Sequence, residues 1–226
     1  MTLDARLAEI RTRIADAAAR SGRDAADVTL VGVTKTVGRE EVDEAYALGV
    51  RHFGENRVPD AVRKFATPLP DDAVLHMIGQ LQSNKAGQAA KLFDVIQSVD
   101  RPSLIEALVK QGAALGRPIT VLLEVGIAGE EQKAGCDPEE APALAAAIIA
   151  SPHLALRGLM TMAPLVDDAE GTRLVFRGLR ELRDRLLVAH PEARLDWLSM
   201  GMTNDFEVAI EEGATHVRVG RALFGG

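Results

Sequence analysis

Residues 28–38 read Val28-Thr-Leu-Val-Gly-Val-Thr-Lys-Thr-Val-Gly38, the first strongly apolar run of the chain, and the residues that follow it separate two architectures. The segment 28–33 has the β-branched, apolar character of a buried strand. In an open doubly wound sheet such a first strand usually runs into a Gly-rich phosphate loop. Here it runs into Thr34-Lys35-Thr36-Val37-Gly38, which fits neither G-x-G-x-x-G nor the P-loop. The alternative for a chain of alternating strands and helices is a closed barrel.

Working outward, apolar β-rich runs recur at 28–33, 50–54, 74–78, 93–97, 119–125, 156–162, 195–200 and 215–219. Segments of helical pattern or composition follow them, for example at 39–48, 102–115, 138–150, 169–188 and 204–212. Strands alternating with helices imply parallel pairing through right-handed crossovers. Eight such units in 226 residues predict an α/β fold, a single (β/α)8 TIM-type barrel. Ahead of it, Leu3, Leu7, Ile10 and Ile14 recur at helical spacing and Gly22 is placed to end a helix. The expectation is one domain over 1–226, with an N-terminal helix over 1–22 packed on the barrel.

The bulk numbers narrow the partners. Net charge is −7, which disfavours nucleic acid or an anionic membrane surface as the main partner. No apolar run approaches bilayer-spanning length, and the N-terminus carries Asp4 and Glu9 where a signal peptide would have its apolar region. A single cysteine, Cys136, rules out an intrachain disulfide framework and suits a reducing compartment. The expected location is cytoplasmic.

In barrels of this kind chemistry sits at the C-terminal ends of the strands. Val31, Val33 and Lys35 share one side-chain parity, so valines that fill the barrel put Lys35 above them at the mouth. Trp197, Ser199 and Gly201 share a parity on the seventh strand, and His216, Arg218 and Gly220 on the eighth. Leu198, Met200, Val217 and Val219 are then left to face the helices. The turns after these two strands both pair glycine with a helix start, the makings of a phosphate cradle. In the first of them Asn204 is the expected N-cap, with Glu207 at capping-box spacing. Three readings fit Lys35 at this point: a point charge on a phosphate, an amine for a Schiff base with a carbonyl, or a solvated strand end. Desolvation among the valines and Arg218 would favour the neutral nucleophile.

Seven segments then carry a resemblance: VGVTKT (31–36), HFGENRV (52–58), HMIGQLQSNK (76–85), IQSVDR (96–101), LLEVGIAGEEQKAGC (122–136), LRGLMTMAP (156–164) and LSMGMTNDFEVAIEEGATHVRVGRALFG (198–225). Together they resemble the single-domain pyridoxal-phosphate homeostasis proteins, which look like the barrel half of bacterial alanine racemases. The resemblance implies pyridoxal 5′-phosphate (PLP) as cofactor, held as a covalent aldimine on Lys35. It implies a phosphate held by Ser199, Gly201, Gly220 and the Arg221 backbone, Arg218 facing the pyridine nitrogen, and Asn56 near the ring. The chain departs from the usual pattern by carrying Thr34, where Ser more often precedes the lysine.

The resembled two-domain racemases take a second acid/base from a tyrosine of the other domain. The only tyrosine here is Tyr46, in the helix after the first strand, where packing is its expected role. An arginine at the ring nitrogen also weakens the ring as an electron sink, because guanidinium does not readily give up a proton. The expected function is therefore a PLP carrier in vitamin B6 homeostasis, releasing cofactor to amino acids or PLP-dependent apoenzymes by transimination. A PLP-dependent racemase or related enzyme, and a cofactor-free Schiff-base or sugar-phosphate barrel enzyme, are the alternatives.

Other residues carry less. Lys133 and Lys85 read as loop or surface charges, and Cys136 as a loop residue. His52, His76, His153, His190 and His216 lack metal-ligand spacing, and His76 and His216 read as satisfied core histidines. Glu55 and Glu124 sit at strand ends, where either could pair with Lys35 or Arg218.

Overall fold

The computed structural model describes residues 1–129 and 134–225. Its eight parallel strands close into a barrel in chain order: β1 (Thr29–Val33), β2 (His52–Glu55), β3 (Val74–Met77), β4 (Val95–Val99), β5 (Ile119–Glu124), β6 (Leu154–Met160), β7 (Trp197–Ser199) and β8 (His216–Val219). β1 closes the sheet by pairing with both β2 and β8, matching Val31 to His52 on one side and to Arg218 on the other. The helices between them are α2 (Arg39–Ala47), α3 (Val58–Lys64), α4 (Ala86–Leu92), α5 (Pro102–Leu115), α6 (Ala141–Ile149), α7 (Arg173–Ala189) and α8 (Phe206–Glu211), with a terminal α9 (Arg221–Phe224). The expected barrel is borne out, with strand ends shifted by one to a few residues.

α1 (Leu3–Arg20) precedes the barrel. Thr2 caps it by accepting the Ala5 amide, Asp4 lies in its first turn, and Gly22 sits just past its end at φ 69°. Its buried face is Leu3, Leu7, Ile10, Ile14, Ala17 and Ala18. Arg13 makes a two-pronged ion pair with Glu207 of α8 at 2.8 and 2.9 Å. Arg6 donates to the carbonyls of Leu223 and Phe224 at the end of α9, at 2.7 and 3.2 Å. α1 thus braces the two helices that follow β7 and β8.

Two separate interiors follow from strand alternation. Outward residues such as Phe53, Leu75, Ile96, Leu198, Met200, Val217 and Val219 join the helices in one continuous apolar core. Val31, Val33, Val95, Leu122 and Met160 are buried but stand outside that core, in the barrel lumen. They share the lumen with buried polar groups, among them His76, Gln97, Ser199, His216 and Arg218. Among the described residues no helix is long and apolar enough to cross a membrane, and no group of three His, Cys, Asp or Glu could hold a metal ion.

Candidate functional site: a cleft at the barrel mouth

A cleft of about 590 Å³ opens at the C-terminal ends of the strands, within the range of small-molecule sites. Lys35 lines it, two residues beyond β1. The strand end beneath it is firmly held. Thr34 donates its amide to Gly54 O at 2.9 Å and its hydroxyl to Glu55 Oε1 at 2.6 Å. Lys64 of α3 donates to Thr34 O at 2.5 Å and to the same Glu55 oxygen at 2.6 Å. Glu55 is fully buried and its charge is paired within this clamp, so it pairs with Lys64 and not with Lys35 or Arg218.

The turn from Thr34 to Val37 lifts Lys35 above the valines, and its side chain is exposed to the cleft. Lys35 is therefore not buried among Val31 and Val33, contrary to the expectation from parity. A lysine in this position is a reachable amine on a rigid base.

The turns after β7 and β8 form another wall. Met202, Thr203, Asn204 and Asp205 line the cleft from the first, Gly220 and Arg221 from the second. The amides of Thr203 and Asn204 find no acceptor among the described residues, and the first amides of α9 lack intrahelical partners by helix geometry. Asn204 is not the N-cap expected from sequence: α8 begins at Phe206, and Asp205 accepts the Met202 amide at 2.6 Å. Thr203 and Asn204, ahead of the helix, line the cleft. Gly201 is required beneath them, since its φ is 91° and a Cβ would lie 2.6 Å from that of Ala209. Free amides with a nearby arginine and lysine make a donor set that suits a phosphate.

The floor is polar and charged. Arg218 is 4% exposed and donates to Thr161 O at 2.8 Å and to Ser199 Oγ at 2.7 Å. Burial lowers its pKa to about 10, against the opposing pull of Glu124 and Asp205. Glu124, at the end of β5 and 2% exposed, is pushed up to about 7 by burial and then by Asp100, with Arg218 opposing. Met162, Ala163, Pro164, Leu165 and Val166 supply an apolar side.

Of the residues the resemblance carries over, Lys35, Asn56, Arg218, Gly220 and Arg221 meet in this one cleft, and Ser199 and Gly201 do not line it. Ser199 is fully buried, and its hydroxyl is committed to Gln97 and Arg218 inside the barrel. Asn56 is held where β2 ends by Gly79, at which a Cβ would lie 2.3 Å from Asn56 O. Sequence reasoning missed Thr203, the apolar 162–166 wall and the Lys64 clamp. Lys64 had no signal beyond its helix, because its partner Glu55 sits on the preceding strand.

The residues set aside on sequence fall into place. Tyr46 bonds Asp72 away from the cleft, and Arg51 stacks over its ring. Lys85 ends a 3-10 turn before α4. Cys136 is buried, its thiol pushed up to about 12, chiefly by burial. Lys133 lies outside the described residues.

The geometry can now be set beside known proteins. The alanine racemase N-terminal domain family matches residues 6–226. The pyridoxal phosphate homeostasis protein of Pseudomonas aeruginosa is 42% identical over 224 residues, covering 99% of this chain and 95% of that protein. The one from Aquifex aeolicus is 41% identical, over 97% and 96% of the two chains. PipY of Synechococcus elongatus, solved with PLP bound, superposes with a TM-score of 0.88 at 39% identity, covering 99% of this chain and all of that one. With a barrel matched end to end and identity near two-fifths throughout, the chain belongs to the alanine racemase N-terminal domain family and, within it, to the pyridoxal phosphate homeostasis proteins.

Proposed function

We propose that this chain binds PLP in the mouth cleft, holds its aldehyde as a reversible Schiff base on Lys35, and serves as a store that yields the cofactor to other amines. One observation carries the reading. An exposed lysine amine shares a single cleft with the unpartnered amides of Thr203 and Asn204 and the start of α9. Support comes also from the PLP-bound structure of PipY and from the homeostasis proteins to which the chain is similar.

When bound, PLP supplies an electrophilic aldehyde and a phosphate dianion. Lys35 would supply the amine for that aldehyde, their condensation releasing one water. Arg218 would face the pyridine nitrogen, Asn56 would lie near the ring, and Gly220, the Arg221 backbone and the 203–204 amides would hold the phosphate. Gly201 shapes the turn that presents those amides, and Ser199 acts from below through Arg218. Because Lys35 is open to solvent, amines of amino acids or of apoenzyme lysines would have access to the bound cofactor.

Adding PLP should generate a visible absorbance band that Lys35→Ala lacks. An undiminished band in Lys35→Ala would remove the assignment.

A second reading, a PLP-dependent racemase or related enzyme, is favoured by Glu124, an acid/base group with a pKa near 7 lining the same cleft. Exchange of amino-acid α-hydrogen in heavy water separates the two. Catalytic turnover that falls in Glu124→Gln supports the enzyme, and its absence supports the store.

A further inference from the structure

Beneath the cleft, a single line of hydrogen bonds crosses the barrel lumen. Arg218 Nη1 donates to Ser199 Oγ (2.7 Å), and Ser199 Oγ donates to Gln97 Oε1 (2.6 Å). Gln97 Nε2 meets His76 Nδ1 (2.9 Å), and His76 Nε2 meets His52 Nδ1 (2.9 Å). β7 and β4 are not neighbours in the sheet, so the Ser199–Gln97 bond runs through the lumen itself. Ser199, Gln97 and His76 are fully buried, where a hydrogen bond left unmade is costly.

The sense of this line is fixed from one end. Guanidinium only donates, so Ser199 must present a lone pair to Arg218 and send its own proton elsewhere. Gln97 Oε1 takes that proton, which turns the amide nitrogen toward His76. His76 must then accept at Nδ1 and carry its hydrogen on Nε2, which it donates to His52 Nδ1. The reverse sense requires the Gln97 amide to flip. Its NH2 would then donate to Ser199, and the hydroxyl proton would be left buried without an acceptor.

We infer that Gln97 and His76 are positioning residues. His76 sets the sense of the Gln97 amide, the amide sets the Ser199 hydroxyl, and the hydroxyl anchors Arg218 where it lines the cleft. An arginine side chain has ample rotamer freedom, and Thr161 O holds only one of its arms. The second arm depends on the line. The consequence for cofactor rests on the proposed function: Gln97 and His76, which touch no ligand, control the environment at the ring nitrogen through Arg218.

The test has two readouts. In the unmodified protein, labelled with 15N-histidine, His76 and His52 should both show the Nε2–H tautomer with Nδ1 as an accepting nitrogen. An Nδ1–H tautomer at His76 overturns the inference, and this measurement needs neither a variant nor cofactor. In Gln97→Met, which keeps side-chain length and loses both bonds, the pH at which bound PLP changes its absorbance form should move by at least half a unit. Inorganic phosphate affinity should stay within twofold of the unmodified protein. An unmoved pH profile in a folded Gln97→Met protein also overturns the inference. Failure of the unmodified protein to take up any PLP would sink the proposed function instead, and the line would then be judged on its tautomers.

Discussion

Burial places the Glu124 carboxyl near 7 against an ordinary value of 4.5, and this has a thermodynamic sign. The native state holds the proton more tightly than the unfolded chain, so the stability it gives is present below 4.5 and lost as pH rises through 7. Glu124→Gln mimics the protonated form. It should leave stability near pH 4 unchanged and raise it by up to ~3 kcal/mol at pH 8, read by urea unfolding at both values. Equal effects at the two pH values would mean that Glu124 acts by packing alone. Lys35 teaches a different lesson at this scale. Its parity with Val31 and Val33 was legible in sequence, but its exposure was not, because β1 ends at Val33 and the Thr34–Val37 turn carries the side chain clear of the lumen.

At the scale of elements, two contrasts can be measured. α1 is held to α8 by a buried apolar face and by the Arg13–Glu207 pair, whose side chains are 32% and 29% exposed. Leu7→Ala, at a fully buried position, should cost about 2–5 kcal/mol, and Arg13→Ala no more than about 1 kcal/mol. Urea denaturation of both checks this, and a larger loss from Arg13→Ala would reverse the ranking of burial over ion pairing. The second contrast lies in β2, β3 and β8, which gather His52, His76 and His216 within 5.2–6.2 Å of one another by ring centre. Burial holds all three pKa values down, His216 at about 3. The unfolded chain takes up these protons below 6.5 and the native state does not, so stability falls as pH drops from 6.5 toward 3. Between 4.5 and 6.5 Glu124 offsets part of this by releasing its proton on unfolding. Across pH 5–6.5 the net slope should be positive, stability rising with pH, as read from unfolding free energies. A flat profile would mean the histidines are not neutral in the native barrel.

For the molecule as a whole, the fold was legible because strand-like runs alternate with helices and because glycines such as Gly49 and Gly213, at φ 91° and 101°, end helices just before strands. Arg218 and Gly220 could be placed at the mouth because parity in a barrel strand is strict. The lumen network could not be read. Ser199 and Gln97 are 102 residues apart, and only closure of the barrel brings the hydroxyl to the amide. For the same reason the sequence pattern alone could not show that Ser199 faces the lumen network instead of the cleft. The start of α8 lies one residue beyond the one expected from Asn204, because the Asp205 carboxylate is engaged by the Met202 amide behind it and the helix begins only at Phe206.

The central claim is that Lys35 is the amine that captures PLP. Borohydride reduction of the PLP-treated protein, followed by peptide mass mapping, tests it most directly. The account requires one reduced pyridoxyl-phosphate adduct, on Lys35, abolished by Lys35→Ala. A stoichiometric adduct on any other lysine, with Lys35 unmodified, would contradict it.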